Sequence, residues 1–244
     1  MEQWLQNAGL SLAPQKTEAV HVSSHQVLET ATIQVGGMAI TSQRVIKYLG
    51  VMIDAWLSFC EQQGYIQGKV VALTRGLGRI LLSIRGARQN RRSLLVSVAS
   101  AQILYSAPIW AEAMNTSSYR KGVDEAYRLG AIRLASAFKT VCSNVILVIA
   151  AMAPLEERAR DFKKLNETHA RYMGAAGALD ITTKEEAKER SLKAWQECWN
   201  ISTKGRWTYT LSLNLRKWVL QSHKQIDIYL TQVLSGHDWF RQYL

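Results

Sequence analysis

The chain has 244 residues, 48% of them hydrophobic, which suits one large domain or two small ones with a packed core and excludes a disordered polypeptide. Its net charge of +11 favours a polyanionic partner, nucleic acid first and an acidic membrane surface second. Three scattered cysteines, Cys60, Cys142 and Cys198, argue against a disulfide framework and a zinc site; with no apolar leader in residues 1–10, they point to an intracellular protein, cytoplasmic or nuclear and not secreted.

Residues 1–8 read as a helix tail with Gly9 at its C′ position, and a chain that opens inside a helix is expected to be a piece of something longer. A turn-rich link through Pro14 leads to three short strands, over residues 18–23, 30–35 and 38–41. Gly36-Gly37 joins the last two as a two-residue hairpin turn, because glycine accepts the positive φ such a turn demands. Residues 45–53 form a β-rich apolar run, read as one strand in which Gly50 marks a bulge or a close approach of another backbone; Asp54 ends it. Ser58 and Glu61 have the spacing of a capping box for the helix that follows.

From Cys60 the apolar period becomes helical. Ile66, Val70, Leu73, Leu77, Ile80, Leu81 and Ile84 place a helix over residues 60–85, weakened by Gly64, Gly68, Gly76 and Gly78. Further helices are expected over residues 90–109, 117–138, 144–151 and 155–174, the last with Glu156 and Glu157 in its first turn, where the helix dipole favours acids. Residues 182–199 open on two possible capping boxes, Thr182 with Glu185 and Thr183 with Glu186, and residues 211–223 and 226–234 complete the helical part. Residues 93–111 are uncharged and long enough to invite a membrane-spanning reading, but Ser93, Ser97, Ser100, Gln102, Ser106 and Pro108 are too polar a set, and a buried core helix is expected. The fold class is therefore α+β, mainly α.

The strongest functional signal is a basic run. Lys69, Arg75, Arg79, Arg85, Arg88, Arg91 and Arg92 lie in a stretch with no acid between Glu61 and Glu112. Guanidinium forks match phosphate oxygens, so the run points to nucleic-acid contacts; the other reading is a solvated helix face followed by a basic loop. Trp195, Trp199 and Trp207 with Lys204 and Arg206 make an aromatic–basic cluster. Trp195 and Trp199 share a helix face with Leu192 and read as core before they read as a base-stacking platform, while the Ser202–Arg206 turn could reach a phosphate. No Asp-Asp pair occurs, the five histidines show no metal spacing, and P-loop, nucleophile-elbow and dinucleotide fingerprints are absent.

Residues 47–54 (KYLGVMID), with residues 4–20 (WLQNAGLSLAPQKTEAV), 103–114 (ILYSAPIWAEAM), 195–207 (WQECWNISTKGRW) and 226–244 (IDIYLTQVLSGHDWFRQYL), resemble in the same order the reverse transcriptases of non-LTR, LINE-like retrotransposons, above all the arthropod type-1 elements. The resemblance implies the end of a palm at residues 1–57, a helical thumb at 58–174 and a helical linker region at 175–244 that precedes a zinc knuckle missing here. It implies RNA-directed DNA polymerase as the family activity and RNA or an RNA–DNA hybrid as partner, with the basic run in the thumb. It also implies that the family's paired aspartates, and the magnesium they hold, are not part of this chain. Lys16 matches a family lysine thought to assist the departing pyrophosphate, a role that is chemically empty without metals. Leu211-Ser212-Leu213 stands where relatives tend to carry Ile-Pro, and residues 144–147 (NVIL) replace a more polar stretch, as in a decaying copy. The expected function is a truncated reverse transcriptase that retains template–primer or RNA binding without polymerisation; the alternatives are a non-enzymatic basic interaction module and an inactive translated relic. No membrane partner is expected. A palm remnant stripped of its neighbours would leave open strand edges and self-associate.

Overall fold

In a computed structural model of the chain, which describes residues 2–11, 13–25, 27, 29–80, 88–172, 181–221 and 225–237, two compact units are present, Met1–Tyr65 and Ile66–Leu244. Helices make up 63% of the structure, and the strands form two small antiparallel sheets of two strands each, so the fold is mainly α with a small β part.

In the first unit, helix α1 (Glu2–Asn7) ends at Gly9, whose φ of 71° lets the Leu10 N–H reach back to the Leu5 carbonyl at 2.8 Å. Strands β1 (Thr32–Val35) and β2 (Met38–Thr41) pair with Val35 opposite Met38, and Gly36 and Gly37 turn the chain at φ 56° and 79°. Two positive φ values in succession match the right-handed twist of the flanking strands. The run at residues 45–53 is not one strand. It folds back as a second hairpin, β3 (Val45–Tyr48) and β4 (Val51–Asp54), with Tyr48 opposite Val51. Gly50 is not a bulge but the second turn residue, at φ 85°, and Leu49 takes the first at φ 46°. Residues 18–23 do not form a strand either: Val20 makes an isolated bridge to Gln43, and the Ser23 N–H donates to the Ala55 carbonyl.

Asp54, rather than a Ser58–Glu61 box, organises the entry to helix α2 (Cys60–Ile80). It is 2% exposed; Oδ1 accepts from the N–H groups of Trp56 and Ser58, and Oδ2 from the Phe59 N–H at 2.7 Å and the Ser58 hydroxyl. Ser58 Oγ accepts from Cys60 N–H at 3.3 Å. A buried carboxylate that gathers three backbone donors holds the loop in which Leu57 and Phe59 take φ values of 53° and 55°.

In the second unit the helix expected over residues 90–109 is broken. Helix α3 (Gln89–Ile103) stops, Ser106 takes a left-handed conformation, and a short α4 (Ala107–Trp110) follows with Pro108 in its first turn. Pro108 has no N–H to give and its ring would meet the carbonyl four residues back, so a continuous helix is excluded there. No helix among the described residues is long and apolar enough to cross a membrane; α3 and the segment after it reach that composition only as a pair bent by 51°.

Helix α5 (Ser117–Ala135) packs on α3 and on α6 (Ser143–Ile149). Ala131, Leu134 and Ala135 of α5 and Val145, Ile146, Val148 and Ile149 of α6 build a core with Leu192, Trp195 and Trp199 of α8 (Ile181–Ile201). Trp195 and Trp199 are 4% and 2% exposed, so this tryptophan pair is core. Trp199 Nε1 donates to the Ser212 carbonyl at 3.1 Å and the half-buried Trp218 donates from Nε1 to the Val148 carbonyl at 2.6 Å, which pairs the polar atom of each indole. Helix α7 (Leu155–Tyr172) packs on α4 and α8. The helix expected over residues 211–223 begins later: a separate α9 (Arg206–Leu211) ends where that helix is expected to start, and α10 (Leu215–Leu220) follows an N-cap, Asn214, that accepts from the Lys217 N–H; residues 222–223 lie outside the described residues. Asp227 caps α11 (Ile228–Ser235) in the same way, from Leu230 N–H. The link at residues 174–180 and the extension of α2 to residue 85 lie outside the described residues.

Candidate nucleic-acid interface

On α2, Ile66, Val70 and Thr74 are buried and recur at helical spacing. Arg75 and Arg79 stand on the other side and are exposed, four residues apart on one face. Lys69 is exposed also. Arg88 is the N-cap residue of α3 and Arg91 lies in its first turn, both exposed; Arg85 lies outside the described residues.

Arg92 departs from the rest. It is 4% exposed, and its guanidinium donates to the Arg133 carbonyl at 3.0 Å and to the Ser136 hydroxyl. Ser136 takes a left-handed conformation just past the end of α5, where orphan carbonyls accumulate and the helix dipole favours a cation. Arg92 thus closes the end of α5. Burial, with the Arg133 guanidinium adding repulsion, holds its pKa below the ordinary arginine value. The expectation of Arg92 as a phosphate contact is replaced by this packing role.

The same contact brings the basic segments together. A Cβ at Gly78 would lie 3.0 Å from the Arg133 guanidinium, so the Arg133 side chain reaches the last turns of α2, and Arg92 ties the start of α3 to the end of α5. Arg79 and Arg91 flank this junction in sequence. Arg133, half-exposed, lies at this junction, and it was not among the sequence candidates because the Arg92 and Gly78 segments it meets lie more than forty positions back in the chain. Helix α3 carries no acid in its first turn and no side-chain cap. Cations at a helix N-terminus oppose the dipole, so Arg88 and Arg91 gain nothing from α3 itself. Anionic ligands are favoured there twice over, by the positive end of the helix dipole and by the two guanidinium groups.

A second basic point is the turn between α8 and α9. Gly205 has φ 75°, and a Cβ there would run into Val145 and Trp199, which leaves no room for a side chain. Arg206 donates to the Asn200 and Ser202 carbonyls at 3.2 and 3.3 Å and lies 3.9 Å over the Tyr209 ring, so it serves the end of α8. Lys204 is exposed at the rim of a polar cavity of about 650 Å³ lined also by Arg128, Asn144, Ser202 and Thr203. Arg128 is already committed, to Glu125 and to the Lys139 and Val141 carbonyls. Trp207 is 42% exposed and donates to the Val233 carbonyl. In the other unit Lys16 is exposed at the end of a 3₁₀ turn, Pro14–Lys16.

Among the described residues no three His, Cys, Asp or Glu side chains come together in a way that would hold a metal ion. Asp54 is bound to its loop, Asp124 lies 3.5 Å from Arg120, Asp161 accepts from the Ser191 hydroxyl, and Asp227 caps a helix.

No family model matches the chain, and no solved structure matches it. Two curated proteins do. The chain is 22% identical over 259 aligned positions, 99% of its length, to the "Retrovirus-related Pol polyprotein from type-1 retrotransposable element R1 2" of Nasonia vitripennis. It is 22% identical over 250 positions, 96% of its length, to the corresponding R1 polyprotein of Bradysia coprophila. It spans 63% of the first relative and 25% of the second.

Proposed function

The chain is related over nearly its whole length to the Pol polyproteins of type-1 retrotransposable elements, and from that premise we propose that it is a truncated part of a reverse transcriptase which binds a template–primer duplex or RNA without polymerising. The observation that carries the reading is the junction of α2, α3 and α5. There Arg79, Arg88, Arg91 and Arg133 stand, and the first turn of α3 holds no acid. Arg75 and Lys69 extend the basic face of α2, and Lys204 adds an exposed cation at the separate turn between α8 and α9. The net charge of +11 supplies the long-range attraction that a phosphate backbone requires.

Polymerisation through two metal ions needs carboxylates side by side. The described aspartates are each committed elsewhere, so the described residues do not fit a magnesium pair and no catalytic step is assigned to them, nor to Lys16. Membrane binding is not part of the proposal.

The test is fluorescence anisotropy with a labelled RNA–DNA hybrid at several salt concentrations. Affinity is expected to fall steeply with salt, and each contacting arginine removed is expected to flatten the log–log slope by about one. A slope unchanged in an Arg79→Ala, Arg91→Ala double variant would refute the assignment. Template-dependent primer extension by the isolated chain, with magnesium or manganese, would refute the loss of polymerase activity.

A further inference from the structure

Helix α3 is apolar on two opposite sides. Val96, Ala99 and Ile103 face the interior, with Arg92 and Ser100. Leu94, Val98, Ala101 and Tyr105 repeat at the same helical spacing on the opposite side and are uncovered, Leu94 at 67% exposure and Tyr105 at 52%. The buried core helix expected from the sequence is thus only half buried, and an apolar strip of this kind marks an interaction surface.

Beside the strip lies a depression. A cavity of about 400 Å³ is walled by Ser97, Ala101 and Leu104 on one side and by Arg158 and Phe162 of α7 on the other, over a floor that includes Val96, Leu134 and Met152. A second cavity, of about 380 Å³, shares Met152, Arg158 and Phe162 with the first and continues between α7 and α8 to Lys184 and Lys188. The two depressions adjoin at these residues and together form a groove that crosses α3, α7 and α8, with Arg158 where they meet.

The charges along it are unbalanced. Arg158 donates to Tyr127 Oη at 3.3 Å, and among the described residues it makes no ion pair. Asp161 is the one acid on the described walls, and it accepts from the Ser191 hydroxyl instead. Burial raises the Asp161 pKa against the opposing effects of Ser191, Arg190, Lys164 and Arg158, as a poorly hydrated wall would. Lys184 and Lys188 are exposed, four apart on one face of α8.

We infer that this groove seats an acidic amphipathic helix of a partner protein, its apolar side chains lying on Met152 and Phe162 and a carboxylate meeting Arg158. An apolar floor with a half-buried guanidinium and a lysine rim complements such a helix in both respects. A second copy of a chain carrying +11 is repelled by the same rim. A phosphate backbone gains nothing from a floor of Val96, Leu134, Met152 and Phe162.

The test uses the full chain and a labelled peptide of about 16 residues, long enough to hold a helix, with leucines at helical spacing and glutamates between them. Saturable binding in anisotropy is expected, with no binding of the same peptide carrying lysines for glutamates. Arg158→Gln, and separately the Lys184→Glu, Lys188→Glu pair, are expected to weaken binding about tenfold, and Ala101→Trp to abolish it by filling the groove. Circular dichroism checks each fold; the two lysines are exposed, so that variant reports even where another unfolds. Equal binding of the acidic and basic peptides, absence of saturation, or unchanged affinity in the lysine variant overturns the inference. An RNA–DNA hybrid that loses affinity in Ala101→Trp would assign the groove to nucleic acid and overturn it too. The hybrid's salt slope at Arg79 and Arg91 is read separately, so failure here leaves the nucleic-acid interface to its own test.

Discussion

Arg91 and Arg92 are neighbours in the chain and opposite in role, and replacing each by alanine separates the two. Arg92→Ala takes two methylenes, Cγ and Cδ, out of the interior, about 0.8 kcal/mol each. It also removes hydrogen bonds from a charged donor to the Arg133 carbonyl and the Ser136 hydroxyl, worth about 1.5–3 kcal/mol each. The release of a desolvated charge from beside Arg133 offsets part of that. A net loss of about 3 kcal/mol is expected, which for a unit of this size lowers the melting temperature by roughly 6–12 °C. Arg91→Ala, at an exposed position, is expected to stay within about 0.5 kcal/mol of the parent. Binding of a hybrid duplex should show the reverse order: a slope flatter by about one for Arg91→Ala, and an unchanged slope for Arg92→Ala at a temperature where it is folded. Thermal denaturation by circular dichroism and salt-dependent anisotropy on the two variants decide the matter. An Arg92→Ala protein that melts with the parent would show that its guanidinium does not close the end of α5.

Gly205→Ala is expected to destabilise by more than 2 kcal/mol, since a Cβ there meets Val145 at a positive φ, whereas Gly37→Ala, with the same sign of φ but open space around it, should lose only about 1 kcal/mol; chemical denaturation compares them. Asp54→Ala strands buried N–H groups of Trp56, Ser58 and Phe59 and is expected to lower stability by about 2–4 kcal/mol, with hydrogen exchange accelerating first in residues 54–60; protection equal to the parent's would refute the carboxylate's role. Asp124 has its carboxyl pushed up to about 6, chiefly by burial, with Arg120 opposing and Glu156 adding to the shift. The folded form therefore holds a proton that the unfolded chain releases near 3.8, so this contribution is full below about pH 4 and lost as pH rises through 6. With 44% of the side chain exposed the slope is shallow, and Asp124→Asn should remove it from denaturant midpoints measured across that range. Ile33 and Met38 are 45% and 49% exposed on a two-stranded sheet whose edges no other strand among the described residues covers, and light scattering is expected to find concentration-dependent oligomers that Ile33→Lys reduces; a monomer at every concentration would refute this.

The first hairpin was legible because a glycine pair between alternating residues has one reading. The second was not, because its turn begins with Leu49, a residue that avoids positive φ when context does not impose it, and Gly50 alone fits a bulge as well as a turn. Residues 18–23 alternate like a strand, yet Val20 reaches Gln43 by one bridge, so the pattern lacked a neighbour to pair with. Helix positions were readable from their apolar period, and boundaries were missed where one residue overrides it: Pro108 after α3 and the cap Asn214 before α10. Trp195 and Trp199 were read as core from their spacing with Leu192 and are core. In the basic run, residue type located the cations, but the fate of Arg92 is set by the end of α5, which no local pattern in residues 88–92 encodes.

The second hairpin is pinned at both ends. Its turn has two residues, and its last strand residue, Asp54, is tied to three backbone N–H groups of the loop that follows. Side chains on a strand alternate between faces, so one residue added or removed between the turn and Asp54 would carry that carboxylate to the wrong side and strand its donors. The segment therefore tolerates changes of identity at its exposed positions, Lys47, Tyr48 and Leu49, far better than a change of length. It acts as a ruler: a lineage of such chains can drift at these letters while keeping their count.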